Sequence, residues 1–108
     1  MGESRLGSYI VQHRYRVDAG ERERFWQVMA TLRDHQIDLG VAAFEVWQDA
    51  NEPSLIVETV SYDSWSHCRM LETRPLPPHV QEAIDDFGRL VVGGWEGIDS
   101  HAWDPCEF

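Results

Sequence analysis

Residues 41–62, VAAFEVWQDANEPSLIVETVSY, carry the reading that decides the fold. Val41 to Gln48 and Leu55 to Tyr62 are two runs rich in β-branched and aromatic residues. Between them, Asp49-Ala50-Asn51-Glu52-Pro53 has the composition and length of a hairpin turn. Side chains of a strand alternate between faces. Phe44 and Val46 therefore share one face of the first run, and Val41, Ala43 and Trp47 the other. In the second run Leu55 and Val57 oppose Ile56 and Val60. Both faces of this hairpin are apolar, so both want cover.

Upstream, Tyr9 to Val17 (YIVQHRYRV) alternates in the same way, with Tyr9, Val11, His13, Tyr15 and Val17 on one side, and reads as a strand. Asp18 then opens a helix expected over about residues 19 to 39, with Glu21 placed to complete a capping box. Phe25, Val28, Met29, Leu32 and Leu39 give its apolar stripe, and Gly40 stands where a helix C-terminal glycine belongs. Downstream, Asp63 or Ser64 can cap a short helix through Trp65, His67, Cys68 and Leu71. Pro75, Pro77 and Pro78 interrupt it. Val80, Ala83, Ile84 and Phe87 resume the stripe as far as Gly93-Gly94, and Gly97 to Trp103 is the expected last strand.

The order is β-α-β-β-α-β, which predicts one α+β domain over residues 1–108: a ferredoxin-like, four-stranded antiparallel sheet with its helices on one face. Met1 to Ser8 is expected to be a flexible lead. One chain covers only one face of such a sheet, and an uncovered apolar face marks a contact surface. A homodimer is the predicted partner arrangement.

The chain has 108 residues, 43% of them apolar, with 19 acidic and 9 basic side chains and a net charge of −10. An anionic surface of this size argues against nucleic acid and against anionic membranes as partners. No apolar run approaches the roughly 18 residues that insertion into a bilayer needs. Neither a signal peptide nor a disulfide framework is visible, so a cytoplasmic location is expected. Cys68 and Cys106 match no zinc spacing, and the five histidines show no metal-ligand spacing, so no metal is expected.

The run Asn51 to Glu58, followed by Ser61-Tyr62-Asp63-Ser64-Trp65-Ser66-His67, resembles the dimeric α/β-barrel superfamily typified by antibiotic biosynthesis monooxygenases. In that family a hairpin proline precedes a strand ending in a glutamate, and a short helix bearing a histidine follows. Glu58 and His67 stand at those positions. A Ser-Trp pair before the histidine, here Ser64-Trp65, also resembles small domains appended to some bacterial major-facilitator transporters, with a gap to His67 one residue shorter. The likeness spans about residues 8 to 103. It implies a dimeric barrel that binds a small molecule. The leading implied activity is cofactor-independent monooxygenation of an aromatic or polyketide-like substrate. The alternative is a non-catalytic ligand-sensing or oligomerisation module serving a partner such as a transporter.

The resemblance makes His67 and Glu58 the candidate catalytic residues. His67 is either a proton carrier at a cavity mouth, by virtue of its near-neutral pKa, or a surface or capping histidine. Glu58, between Val57 and Thr59, is either a general base or a buried anion paired with an arginine across the dimer, the pairing being favoured. His13, mid-strand on the apolar face, is a candidate substrate-binding residue. It could also join His101 and Glu58 in a cross-strand metal set, although a hydrogen-bonded core histidine is favoured. Of the five tryptophans, Trp47 and Trp65 are the candidates for walls of an aromatic pocket, and the dimer interface is their alternative place.

Overall fold

The structure, a computed structural model, describes residues 9–106, so the expectation for Met1 to Ser8 lies outside the described residues. Four strands form one antiparallel sheet: β1 (Tyr9–Arg16), β2 (Ala43–Gln48), β3 (Leu55–Tyr62) and β4 (Asp99–Trp103), in the order β2-β3-β1-β4. Among the described residues three α-helices accompany them: α1 (Arg22–Leu39), α2 (Trp65–Glu72) and α3 (Pro78–Leu90). The architecture is the α+β, ferredoxin-like plan that the order of periodicities predicts.

Local chemistry explains the boundaries. Asp18 is extended and its carboxylate caps nothing. The chain instead enters α1 through a single 3-10 turn, Ala19–Glu21, closed by the Glu21 amide on the Asp18 carbonyl at 2.9 Å. The expected capping box is therefore absent, because the α-helix begins one turn later, at Arg22. Gly40 ends α1 in the left-handed region at φ 91°, a conformation that favours glycine. The amides of Val41 and Ala42 go to the Gln36 and Ser61 carbonyls, which delays β2 to Ala43. Ser64 caps α2, accepting from the His67 amide at 3.0 Å. Pro75 and Pro77 lie in the break between α2 and α3, and Pro78 opens α3 at its first turn, where its missing N–H costs nothing.

All three helices lie on the face formed by the odd residues of β1 and the even residues of β2 and β3. One core cluster joins Tyr15, Val17 and Ile56 of this region to Phe25, Val28 and Met29 of α1 and to Ala83 and Phe87 of α3. Tyr15 meets Phe25 and Phe87 edge-on, with ring centroids 6.0 and 4.9 Å away. A second cluster, Val60, Tyr62, Cys68 and Leu71, is closed by α2. Phe44 packs against both. The other face carries Ile10, Arg14, Trp47, Val57, His101 and Trp103, and among the described residues no helix lies over it; Trp47 and Trp103 are more than half exposed.

Phe25, only 1% exposed, is central to the first cluster, whereas its neighbour Trp26 is 41% exposed. Phe25→Ala is expected to lower unfolding free energy by about 3–5 kcal/mol, the scale of a buried aromatic truncation. Denaturant titration should show a clearly smaller loss for Trp26→Ala; equal losses would contradict this assignment of the core.

Candidate active site

Register places the site. In the β1–β3 ladder His13 is paired with Glu58, and in the β2–β3 ladder Val46 is paired with Glu58. All three side chains point to the helix side. Val46 packs against the first cluster, and above His13 and Glu58 the helices do not close. A cavity of about 520 Å³ remains. Its floor holds His13, Glu58 and Val60. Its roof is Leu32, His35 and Gln36 of α1 with Ile84 and Phe87 of α3, and its rim holds Arg74, Leu76, Trp95 and Ser100.

Glu58 is 7% exposed, and burial pushes its carboxyl up to about 7, because a charge removed from water loses its hydration. The neighbouring Tyr15 hydroxyl opposes that rise only in part. It approaches the carboxylate, but makes no hydrogen bond within 3.5 Å. The same burial, together with the Glu58 charge, holds the Tyr15 phenol well above its ordinary range. Burial also lowers the pKa of His13, which favours its neutral form. His13 Nδ1 shares a hydrogen bond of 2.8 Å with Ser100 Oγ of β4, which fixes the ring and leaves Nε2 for another partner. A carboxyl that changes charge near neutrality and a neutral, oriented imidazole thus adjoin one largely apolar space. That arrangement can take a proton from a bound molecule and return it.

Of the residues expected at the site, the structure brings His13 and Glu58 together. His67 lies outside this cavity's lining. Its ring sits edge-on to Tyr62 at 6.4 Å, with Nδ1 3.8 Å from an Asp63 carboxylate oxygen. Trp47 is on the opposite face of the sheet. Trp65 lines a separate cleft with Tyr9, Val11 and Cys68, and Arg69 lies over its ring at 5.8 Å. The supposed His13-His101-Glu58 set does not assemble. His101 is paired with Gln12 and so points to the open face. Among the described residues no group of three potential ligands is close enough to hold a metal.

Arg74 and Trp95 are among the cavity residues that sequence reasoning did not single out. A signal for Trp95 exists in Gly88, which lies inside α3. A Cβ there would come within 2.6–2.9 Å of the Trp95 indole, so the glycine makes room for the ring. Trp95 also meets Phe87, with centroids 5.8 Å apart.

The sequence matches no family model and no curated protein. Solved structures do match. A protein of Chloroflexus aurantiacus J-10-fl, described as a candidate antibiotic biosynthesis monooxygenase, is 20% identical, with a TM-score of 0.68 over 94% of this chain and 96% of its own. Another candidate antibiotic biosynthesis monooxygenase, from Deinococcus radiodurans, is 18% identical, with a TM-score of 0.71 over 93% and 94%. A mutant of SnoaB, a cofactor-independent oxygenase from Streptomyces nogalater, is 11% identical, with a TM-score of 0.73 over 94% and 95%. At these identities the likeness is one of fold: the chain has the fold of antibiotic biosynthesis monooxygenase-like proteins.

The Glu58 environment has a measurable consequence. Its folded pKa, about 7, exceeds the ordinary value of 4.5, so between these limits the folded state binds more protons than the unfolded state. Glu58 therefore makes stability fall as pH rises from about 4.5 to about 7, and adds no further pH dependence above that. Glu58→Gln removes this dependence and should be the more stable protein at pH 8, by an amount on the order of 2–3 kcal/mol. Parallel stability–pH curves for the two proteins would overturn the assignment.

Proposed function

We propose that a chain of this fold uses its cavity for cofactor-independent oxygenation of a planar, electron-rich aromatic ligand, with Glu58 as the base. The observation that carries this reading is the buried Glu58 carboxyl, poised near neutral pH in the floor of a 520 Å³ cavity. Ligand cavities commonly span roughly 300–1,000 Å³ and combine apolar walls with a few placed polar groups. An open cavity with a perturbed carboxyl supports the enzyme over an oligomerisation module, which needs no cavity, and over a ligand sensor, which needs no group poised to titrate.

In the proposed reaction Glu58 takes the phenolic proton of the ligand. The phenolate carries electron density onto the ring, and a ring carbon forms a C–O bond with O₂. Protonation by Glu58 gives a hydroperoxide. Glu58 then removes the hydrogen on the same carbon, the O–O bond breaks, and hydroxide leaves and collects that proton. Phenol and O₂ become quinone and water, and Glu58 ends ionised as it began. Neutral His13, held by Ser100, offers Nε2 to a ligand oxygen. His67 serves this site at one remove, by bracing the cavity residue Tyr62.

We propose further that a second copy of the chain covers the open sheet face, where Trp47 and Trp103 stand exposed. Among the described residues no helix is long and apolar enough to cross a membrane.

Two measurements test these readings. Oxygen uptake with a dihydroxynaphthalene should fall by about 100-fold or more in Glu58→Gln while binding persists, as for loss of a general base. An unchanged rate would refute the role of Glu58, and no uptake by the parent protein would refute the oxygenase. Light scattering at tens of micromolar should give twice the chain mass of 12.5 kDa. Trp47→Glu should shift it to one copy, and a wild-type monomer would remove the dimer.

A further inference from the structure

Arg74 is an unneutralised cation at the rim of this cavity. In a chain with 19 acidic residues, most of the described arginines find partners, and besides Arg74 the exception is Arg14, which lies on the open face of the sheet and away from this cavity. Arg16 pairs with Glu52, Arg24 and Arg89 with Asp86, Arg33 with Asp34, and Arg69 with Glu72. Arg22 is held by Gln48 and the Pro53 carbonyl. The Arg74 side chain has no hydrogen bond or ion pair among the described residues, although it shares the rim with Glu72. Both oxygens of Glu72 are engaged elsewhere, one by the Cys68 thiol at 3.5 Å and the other by Arg69 at 3.3 Å. Arg74 thus lines the cavity with no carboxylate paired to it among the described residues.

A second feature of the rim has the same sign. Leu76 and Val80 line the cavity where α3 begins. That helix end carries no side-chain cap and no acidic residue in its first turn, so its partial positive charge is uncompensated. Farther in, the walls change character. Phe44, Tyr62 and Phe87 are aromatic, and Trp95, seated against Gly88, adds a fourth ring at the rim. The cavity is therefore cationic at its rim and flat-walled and apolar within.

We propose that the ligand of this cavity is an aromatic carboxylic acid, bound ring-first among the aromatic walls with its carboxylate on Arg74 at the mouth. The assignment rests on the reading of the cavity as an aromatic-ligand site and names the substrate class. A bidentate guanidinium–carboxylate pair suits Arg74, because its planar fork has no other partner among the described residues. Glu58 and His13 line the same cavity, so the residue that anchors the ligand and the residue that takes its proton are different ones. In a protein with a net charge of −10, an anionic ligand gains nothing from the overall field, so its affinity depends on this one local cation.

Calorimetric titration of the intact protein with two probes, 2-naphthoate and its neutral isostere 2-naphthamide, tests the assignment. Wild type should bind naphthoate roughly tenfold tighter than the amide, the scale of a charge-assisted hydrogen bond. Arg74→Gln should erase that preference while leaving amide affinity within about twofold. The preference should also shrink as salt rises, because the rim is exposed to solvent. Glu58→Gln should retain it. Equal binding of both probes to wild type, or a preference that survives Arg74→Gln, overturns the carboxylate assignment and leaves the aromatic cavity standing. Binding of neither probe at millimolar concentration overturns the aromatic cavity and the carboxylate assignment together.

Discussion

The cost of keeping the Glu58 carboxyl away from water governs this structure. Alternation along β3 sends Glu58 to the helix side together with Ile56 and Val60. Both neighbours belong to packed clusters, but Glu58 and His13 belong to neither. A carboxylate packed tightly among leucines and phenylalanines would lose its hydration without compensation. The molecule meets this constraint by leaving space. α1 and α3 close over Tyr15 and Ile56, α2 closes over Val60 and Tyr62, and the cavity lies between. Phe44 bridges the two clusters, and Glu58, facing the cavity, supplies the group able to titrate near neutrality.

Much of the fold was legible because it is set by local periods. The hairpin, the stripe of α1, Gly40 and the Ser64 cap are decided by residues within a few positions of one another, and the structure has all of them. Glu58 was legible too, as a lone carboxylate inside an apolar strand. Its supposed companions were not, and the reasons differ. Trp47 alternates with Val46, so it faces away from Glu58, and a pocket shared with Glu58 was already incompatible with that period. His101 depended on the register of β4 against β1. One step in register decides the face, and it fell on the wrong side for a cluster. His67 sits on a helix whose rotation about its axis is fixed by Cys68 and Leu71 entering the second cluster.

The rim of the cavity was the least legible part. Arg74 lies in a proline-rich connection and Trp95 in a short 3-10 turn, segments without a period to reveal where they point. Their position follows from long-range packing of the loops against α1 and α3. Weak signals remain in retrospect. Gly88 inside a helix costs roughly 1 kcal/mol relative to alanine, which is a reason to look for a close neighbour. Arg74 has no acidic residue three or four positions away, whereas Arg69 has Glu72 and Arg89 has Asp86 and Asp85.

The two faces of the sheet are coupled through β4. All five of its residues are exposed, and as an edge strand it is held by its ladder to β1 and by the bond from Ser100 to His13. Ser100 reaches the cavity rim, while the adjacent His101 and Trp103 face the open side, their rings 4.4 Å apart. A second copy covering the open face, as proposed, would pack against His101 and Trp103 and so against the strand that carries Ser100, which holds the His13 ring beside Glu58. The proposed assembly on one face and the proposed proton chemistry on the other then meet in the same five-residue strand.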